Sequence, residues 1–349
     1  MKKLLQKIGQ GVLILWGVVT LVFFLLMLLP DPTTLAAGQR SDIMSKEAIN
    51  AEFGLDKPGH IRYGLYINDL LPISLHSEKD FLQKDLEGKQ LFSIGKWELT
   101  IKKPYLRRSY QYKKKVSSIV GEALPGTLLL ALSSLIISAI IGILFGLIAA
   151  VYQDKWIDKL IMVVSNIGIS FPSFLIAILF AWFFGFILSK YTGLSMYGSM
   201  RELSADGESY DIAWRNLILP ASALAVRIVG IITQLTRSSV ISVLKQEYII
   251  TAKSKGLKTS QIIKNHVLKN ALNPVVTALS GWFASLLAGA FFVEYVFNWK
   301  GLGKITIEAV QNSDIPVVMG GIIFTACIFI VINIFVDYIY AYLDPRVEI

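Results

Sequence analysis

Hydrophobic residues gather into long uninterrupted runs rather than short alternating stripes. Val12 to Leu29, Ala123 to Gln153, Leu160 to Ser189, Ala271 to Val293 and Ile315 to Val336 contain no Asp, Glu, Lys or Arg. A hydrocarbon core about 30 Å thick is crossed by about 20 apolar helical residues, and each run is close to or above that length. A sixth run, Leu217 to Leu244, is interrupted by Arg227 and Arg237. Lipid offers no partners to backbone N–H and C=O groups, so segments of this length must satisfy them as helices. The pattern predicts an all-α membrane protein. Its six transmembrane helices fall at about 9–29, 123–151, 159–188, 216–244, 272–297 and 315–342.

The polar segments divide the chain into an N-terminal tail with the first span (1–29), a region of nearly ninety residues (30–118), and a core of five spans (119–349) that contains a polar hairpin at 245–271. Within the long region, 45–71 reads as helical, and 91–106 alternates like a strand pair through Leu91, Ile94, Trp97, Leu99 and Ile101. A small extracytoplasmic module is expected there, either shielding helix ends or receiving a delivery protein. No low-complexity tract or clear repeat is visible.

Lysine placement sets the orientation. The tail carries Lys2, Lys3 and Lys7, and the hairpin carries Lys245, Lys253, Lys255, Lys258, Lys264 and Lys269 against Glu247 alone. Short cytoplasmic loops are enriched in Lys and Arg. An even number of spans separates the two segments, so both are expected in the cytoplasm, with the C-terminus, and 30–118 outside. The basic run at 102–115 opposes the simple rule, but long loops translocate largely regardless of charge. The N-terminal run exceeds a signal peptide's usual apolar length and is read as an uncleaved span.

Composition narrows the function. The chain is 54% hydrophobic, above the ordinary globular range, and the net charge of +9 fits basic juxtamembrane loops better than a nucleic-acid surface. A lone Cys327 forms no intramolecular disulfide, and His60, His76 and His266 are too scattered for a metal site. No cofactor is expected. There is no G-x-x-x-x-G-K-[ST] phosphate loop and no serine–histidine or paired-carboxylate constellation, so the chain reads as a non-enzyme.

The hairpin is the chief functional signal. Residues 245–255 have helix-forming composition, Gly256 suits the left-handed position after a helix, and Thr259 or Ser260 suits the cap of a second helix through Ile262, Ile263, His266 and Leu268. A helix–glycine–helix element beneath the membrane is a docking lever.

At these residues the sequence resembles a known family. Glu247-Tyr248-x-x-Thr251-Ala252-Lys253-x-Lys255-Gly256-Leu257 and His266-x-Leu268-x-Asn270-Ala271-x-x-Pro274 resemble the "EAA" coupling loop of ABC importer permeases, in its dipeptide, oligopeptide and nickel version. Leu124-Pro125-Gly126-Thr127-Leu128, Ser170-Phe171-Pro172-Ser173-Phe174, Val293-Glu294-Tyr295-Val296-Phe297-x-Trp299-x-Gly301-Leu302-Gly303, Asp314-x-Pro316-Val317-Val318 and Leu343-Asp344-Pro345-Arg346 are similar to further motifs of that family, in order. Three departures are Pro30-Asp31-Pro32, where the family commonly has Gly-Asp-Pro, an external region longer than typical with extra material near 75–116, and Arg227, where the family often has proline.

The resemblance implies a type I ABC importer permease fold in the inner membrane. It implies a second permease subunit forming a heterodimer, two cytoplasmic ABC ATPases and an extracytoplasmic binding protein. It also implies a coupling hairpin marked by Glu247, Tyr248, Thr251, Ala252, Lys255, Gly256 and Leu257, with Ala252 allowing close approach and Gly256 setting the turn. The implied cargo is a di- or oligopeptide, with a nickel chelate or a glutathione-like molecule as alternatives. An ion-coupled secondary transporter would instead show repeats and broken helices at corresponding positions. An intramembrane enzyme would need polar catalytic groups in its spans.

Charges inside spans complete the reading. Arg227 either lines the pathway and meets a peptide carboxylate, or pairs with a neighbouring acid or snorkels. Glu294 and Asp337 fall near span ends and are expected to be solvated at the interface. Pro172 is expected to kink the third span or to pack within it.

Overall fold

The computed structural model of the chain describes residues 2–28, 57–77, 81, 84–95, 97–203 and 209–343. Pro30-Asp31-Pro32, residues 45–56 of the helix expected over 45–71, and Asp344-Pro345-Arg346 lie outside the described residues.

The chain is mostly helical. In order it forms α1 (Lys2–Met27), α2 (Gly59–Leu70), β1 (Ile73–His76), β2 (Gly88–Ile94), β3 (Trp97–Lys102), α3 (Val116–Val151), α4 (Trp156–Ser170) and α5 (Ser173–Phe180). There follow a π-helical turn (Ala181–Ile187), α6 (Ser189–Thr192), β4 (Arg201–Leu203), β5 (Tyr210–Ile212), α7 (Arg215–Leu244) and α8 (Glu247–Ser254). The chain then forms α9 (Thr259–Ile262), a second π-helical turn (Ile263–Val267), α10 (Leu268–Val296), α11 (Leu302–Gln311) and α12 (Ile315–Leu343). Among the described residues five helices are long and apolar enough to cross a membrane, or up to six if α4 and the following Ser173–Ile187 helix make one broken span.

The expected third span is not one continuous helix. Its two halves meet at 107°. Phe171 and Pro172 both adopt extended backbone, with ψ of 137° and 141°. A residue before proline is pushed out of the helical region, and the proline lacks the N–H that would continue the ladder. Pro172 therefore starts a new helix rather than kinking an old one.

The chain divides into two compact units. The first comprises 1–4, 124–304 and 328–349. Its core gathers Leu130, Ile176, Leu224, Ile228, Ile232 and Leu287 with many alanines. Small residues let backbones approach closely, as is usual between membrane helices. A Cβ on Gly142 of α3 would lie 2.7 Å from Ile232 of α7, and one on Gly230 of α7 would lie 2.6 Å from the Ser165 carbonyl of α4.

In this unit the segment after α10 closes on the start of α3. Glu294 is fully buried, and one of its carboxylate oxygens accepts the N–H groups of Gly303 (2.7 Å) and Lys304 (3.2 Å) in the first turn of α11. The expected interfacial solvation of Glu294 is thus wrong. Those amides have no partner within their helix, and the buried carboxylate supplies one. Thr127 Oγ1 accepts the Leu302 N–H at 2.8 Å, and the fully buried Trp299 donates Nε1–H to the Gly126 carbonyl at 3.0 Å. Asp337 is partly exposed.

The second unit comprises 5–123 and 305–327. An antiparallel sheet of order β1-β3-β2 packs beside α2. The expected strand pair is β2 and β3; β1, only four residues long, was not foreseen. The sheet is organised on Asp69, which is 1% exposed and pairs with Lys84 (2.6 Å) and Arg107 (3.2 Å), while its backbone carbonyl accepts Lys102 Nζ. Hydrogen bonds from Lys115 and from Lys103 hold the Asp85 and Glu87 carboxyls, respectively, below the usual range. Asp314, just before α12, accepts the Ser109 hydroxyl and the N–H groups of Tyr110 (3.0 Å) and Gln111 (3.3 Å).

Because one Glu294 oxygen takes both amide bonds, Glu294→Gln is expected to keep most of the stability. Glu294→Ala removes the acceptor of the buried Gly303 N–H, at about 1–3 kcal/mol, and of the part-buried Lys304 N–H, at less. Thermal unfolding in detergent checks this: equal losses for Ala and Gln would show that charge, not acceptance, is what matters there.

Candidate functional site

The hairpin is built from its turn outward. Gln246 is extended (ψ 146°) and α8 starts at Glu247, whose negative charge suits the positive end of the helix dipole. At the other end Gly256 has φ +81°, its N–H reaches the Lys253 carbonyl at 2.9 Å, and the Leu257 N–H reaches the Ala252 carbonyl at 3.4 Å. These two bonds define a Schellman closure, which needs a left-handed residue and so favours glycine. A Cβ on Gly256 would meet nothing within 4 Å, so backbone conformation rather than space selects glycine.

The second helix starts one residue earlier than a Thr259 or Ser260 cap implies. The Lys258 carbonyl accepts the N–H groups of Gln261 (2.9 Å) and Ile262 (3.0 Å), and the Gln261 side chain returns to the Lys258 N–H at 3.2 Å. Lys258 is therefore the cap residue, in half of a capping box. A π-helical turn then leads into α10.

The inner face of the hairpin is apolar and continuous with the spans. Ile249, Ala252, Ile262, Val267 and Ala271 pack in one buried cluster with Ala150 at the end of α3 and Val240 near the end of α7. Ala252 turns inward into that cluster, 7% exposed, so its small size serves the hairpin's own packing. Glu247, Tyr248, Thr251, Lys255, Gly256 and Leu257 lie on the exposed side. Tyr248 Oη accepts a bond from Asn270 Nδ2 at 2.8 Å, tying α8 to α10. Ile250 is 57% exposed on the same outer surface.

One turn before Val240, Arg237 grips Asp158 of α4 in a two-pronged ion pair. Nε reaches Oδ1 and Nη2 reaches Oδ2, both at 2.6 Å. Asp158 also accepts the Asp154 N–H at 2.9 Å. Sequence reasoning noted Arg237 as an interruption and gave it no partner. The available signal was the high cost of an unpaired arginine in a span, which calls for a carboxylate at the same depth.

Arg227 lies exposed on α7 and has no ion-pair partner among the described residues. Gln234, seven residues on and so on the same helix face, donates to Asn166 Oδ1 at 2.7 Å, and the Ser170 hydroxyl bonds the Asn166 carbonyl at 2.8 Å. A polar line thus follows α7 and α4 through otherwise apolar surface. The described residues contain no group of three His, Cys, Asp or Glu able to hold a metal.

The fold and site define a polytopic helical membrane protein with a polar hairpin packed against its helices. A family model described as Binding-protein-dependent transport system inner membrane component matches residues 142–349. A putative peptide transport system permease protein of Brucella abortus (strain 2308) is 32% identical over 99% of this chain and 98% of its own. The dipeptide transport system permease protein DppB of Alkalihalophilus pseudofirmus is 30% identical, over 96% of each chain. The glutathione transport system permease protein GsiC of Salmonella paratyphi A is 31% identical over 95% of this chain and 94% of its own. Two solved structures of the MetNI methionine ABC transporter, in inward facing conformations, share the fold. Their TM-scores are 0.50 and 0.51 at 16% identity, covering 65% of this chain and 97% of theirs. The chain belongs to the binding-protein-dependent transport system inner membrane component family and is an ABC importer permease.

A double-mutant cycle tests the Arg237–Asp158 pair. Breaking a buried pair from one side costs about 3–5 kcal/mol, and less is expected here because the arginine side chain is 24% exposed. Asp158→Ala and Arg237→Ala should each lower thermal stability in detergent, and the double variant should lose less than their sum by about 1–3 kcal/mol. Simple additivity would remove the pair as a lock between α4 and α7.

Proposed function

We propose that this chain is one of two permease subunits, in a heterodimer, of an ATP-driven importer that carries di- or oligopeptides across the inner membrane by alternating access. The observation that carries this reading is the hairpin, with an inner face continuous with the spans and an exposed outer face that mixes Glu247, Thr251 and Lys255 with Tyr248, Ile250 and Leu257. A soluble ATPase that grips Glu247, Tyr248, Thr251, Lys255 and Leu257 pulls on α3, α7 and α10 together, because Ile249, Ala252 and Ile262 are packed against them. Rigid elements convert a partner's closure into movement of the spans. ATP hydrolysis takes place on two separate ATPase subunits, and a binding protein delivers cargo.

In this reading residues 1–29 form the tail and first span, 30–118 an extracytoplasmic region, and 119–349 the permease core. The bent α4–α5 pair counts as the third of six spans, and both termini lie in the cytoplasm with the hairpin. The peptide cargo is supported by the names of the relatives, which include dipeptide and glutathione systems. Arg227, exposed and without an ion-pair partner among the described residues, supplies a pathway cation suited to a peptide carboxylate.

Two experiments test this. In a Cys327→Ser background, a membrane-impermeant thiol reagent applied to intact cells is expected to label Ser93→Cys and not Ser254→Cys; the opposite pattern overturns the orientation. Gly256→Val places a β-branched residue at a positive φ, a strain of about 1–3 kcal/mol. It should abolish labelled-peptide uptake while the protein stays inserted, whereas Gly256→Asn, which tolerates that backbone, should retain uptake. Normal uptake by the valine variant at normal expression would show that the turn is not part of a lever.

A further inference from the structure

The three-stranded sheet of the second unit is inside out for a surface in water. On one face lie Ile73, Leu75, Phe92, Trp97 and Ile101, exposed by 57, 41, 57, 51 and 48%. On the other, Ser74, His76, Thr100 and Lys102 are buried, at 4, 2, 0 and 4%. The register makes the exposed face continuous: Ile73 pairs with Ile101, Leu75 with Leu99, and Phe92 with Leu99. A one-sided antiparallel sheet in water normally shows the reverse alternation. Part of the buried polar face is hydrogen-bonded, since Lys102 reaches the carbonyls of Asp69 and Leu71 and Thr100 reaches that of Ser74, whereas Ser74 Oγ and Glu98 Oε2 have no hydrogen-bond partner among the described residues.

Two contacts fix the depth of this sheet. The first is α2, whose Tyr63 shares a hydrogen bond with Thr20 and whose Tyr63 and Tyr66 rings meet Phe23 at 5.4 and 5.6 Å. Gly59 lies against Met27. All of these partners fall in the last two turns of the span Gln6–Met27, within about 12 Å of its end at 1.5 Å per residue. β1 follows α2 within three residues, and Asn68 clasps the Leu75 backbone through both its N–H and its C=O (3.1 and 2.7 Å). The second contact is Asp314, immediately before the span Ile315–Tyr338, which holds the backbone of Tyr110 and Gln111 shortly after β3. Both tie the sheet to span ends on one side of the membrane.

We propose that the apolar sheet face lies on the interfacial layer of the bilayer that the spans cross, as a lateral membrane anchor. The chemistry fits that occupant. Trp97 is a residue type enriched at the membrane–water boundary, and Lys89, in the same row as Ile73 and Ile101, has the long stem that lets an ammonium group reach headgroups. A face for a water-soluble delivery protein needs neither the depth nor the inversion. The consequence is that the long loop between α1 and α3 braces the first span laterally.

The test uses the full transporter in nanodiscs, with single cysteines at Ile73→Cys or Ile101→Cys in the Cys327→Ser background and an environment-sensitive fluorophore attached. Both sites are exposed, so folding should tolerate them, and Ser93→Cys on the opposite sheet face is the control. The expected result is blue-shifted emission at Ile73 and Ile101. A phospholipid spin-labelled near its headgroup should remove most of that emission, and aqueous iodide should have no effect; Ser93 should show the reverse. Quenching of Ile73 and Ile101 by iodide but not by the lipid would mean a water-facing surface. Protection from both quenchers would mean that a protein subunit covers it. Either outcome overturns the proposal.

Discussion

The permease core depends on a buried carboxylate. Glu294 has no exposed surface, yet it sits where a chain leaving α10 must reverse into α11. Burying a charge costs several kcal/mol unless hydrogen bonds compensate. Here the helix start supplies two N–H groups and the positive end of its dipole. The surrounding residues follow from that choice. A Cβ on Gly301 would lie 2.3 Å from the Glu294 carboxyl carbon, and one on Gly303 would lie 2.2 Å from Phe291 Cα. Asn298 takes φ +57°, a conformation asparagine tolerates, so that the Trp299 N–H can return to the Glu294 carbonyl at 2.8 Å. A Cβ on Gly126 would strike the Lys300 carbonyl at 2.0 Å. Two motifs nearly 170 residues apart are therefore two halves of one closure, and their residue types are dictated by packing around one acid.

A second consequence concerns where motion can and cannot enter. The hairpin, the ends of α3 and α7, and the start of α10 share one apolar cluster, and close-packed clusters of this kind move as bodies. Arg237 carries the same body on to α4 through Asp158. The continuous ladder ends at Phe171–Pro172, where backbone hydrogen bonding is interrupted and the direction turns by 107°. In the proposed transport cycle this is the natural place for α4 and α5 to change angle, because no helical bonds need break there.

Much of this was legible in the sequence. The apolar runs, including the one interrupted by Arg227 and Arg237 but not the one that Pro172 breaks, predicted five helices to within a few residues at most ends, because lipid leaves the backbone no alternative. The glycine turn was legible because Gly256 follows a helix-forming stretch, and both Schellman bonds are present. What failed were readings that depend on who sits opposite. Glu294 read as interfacial because sequence distance to a span end says nothing of the helix that folds back over it. Arg237 had no visible partner because Asp158 is 79 residues away. The severity of the Pro172 break was hidden because the apolar run continues through it.

The basic run at 102–115 shows how structure changes the meaning of charge. Counted along the chain it weighs against placing 30–118 outside. In the fold, Lys103 meets Glu87, Arg107 meets Asp69, Arg108 meets Asp85, and Lys115 meets both Asp85 and Glu87. Lys102 is buried against carbonyls rather than offered to a headgroup. Most of the run is thus matched within its own unit. The positive-inside tendency acts through charges beside the spans in short loops. The hairpin is such a loop, and its Lys245, Lys253, Lys255, Lys258, Lys264 and Lys269 face a single acid, Glu247. Weighed by local matching rather than by number, the hairpin is the stronger determinant, which supports the proposed orientation.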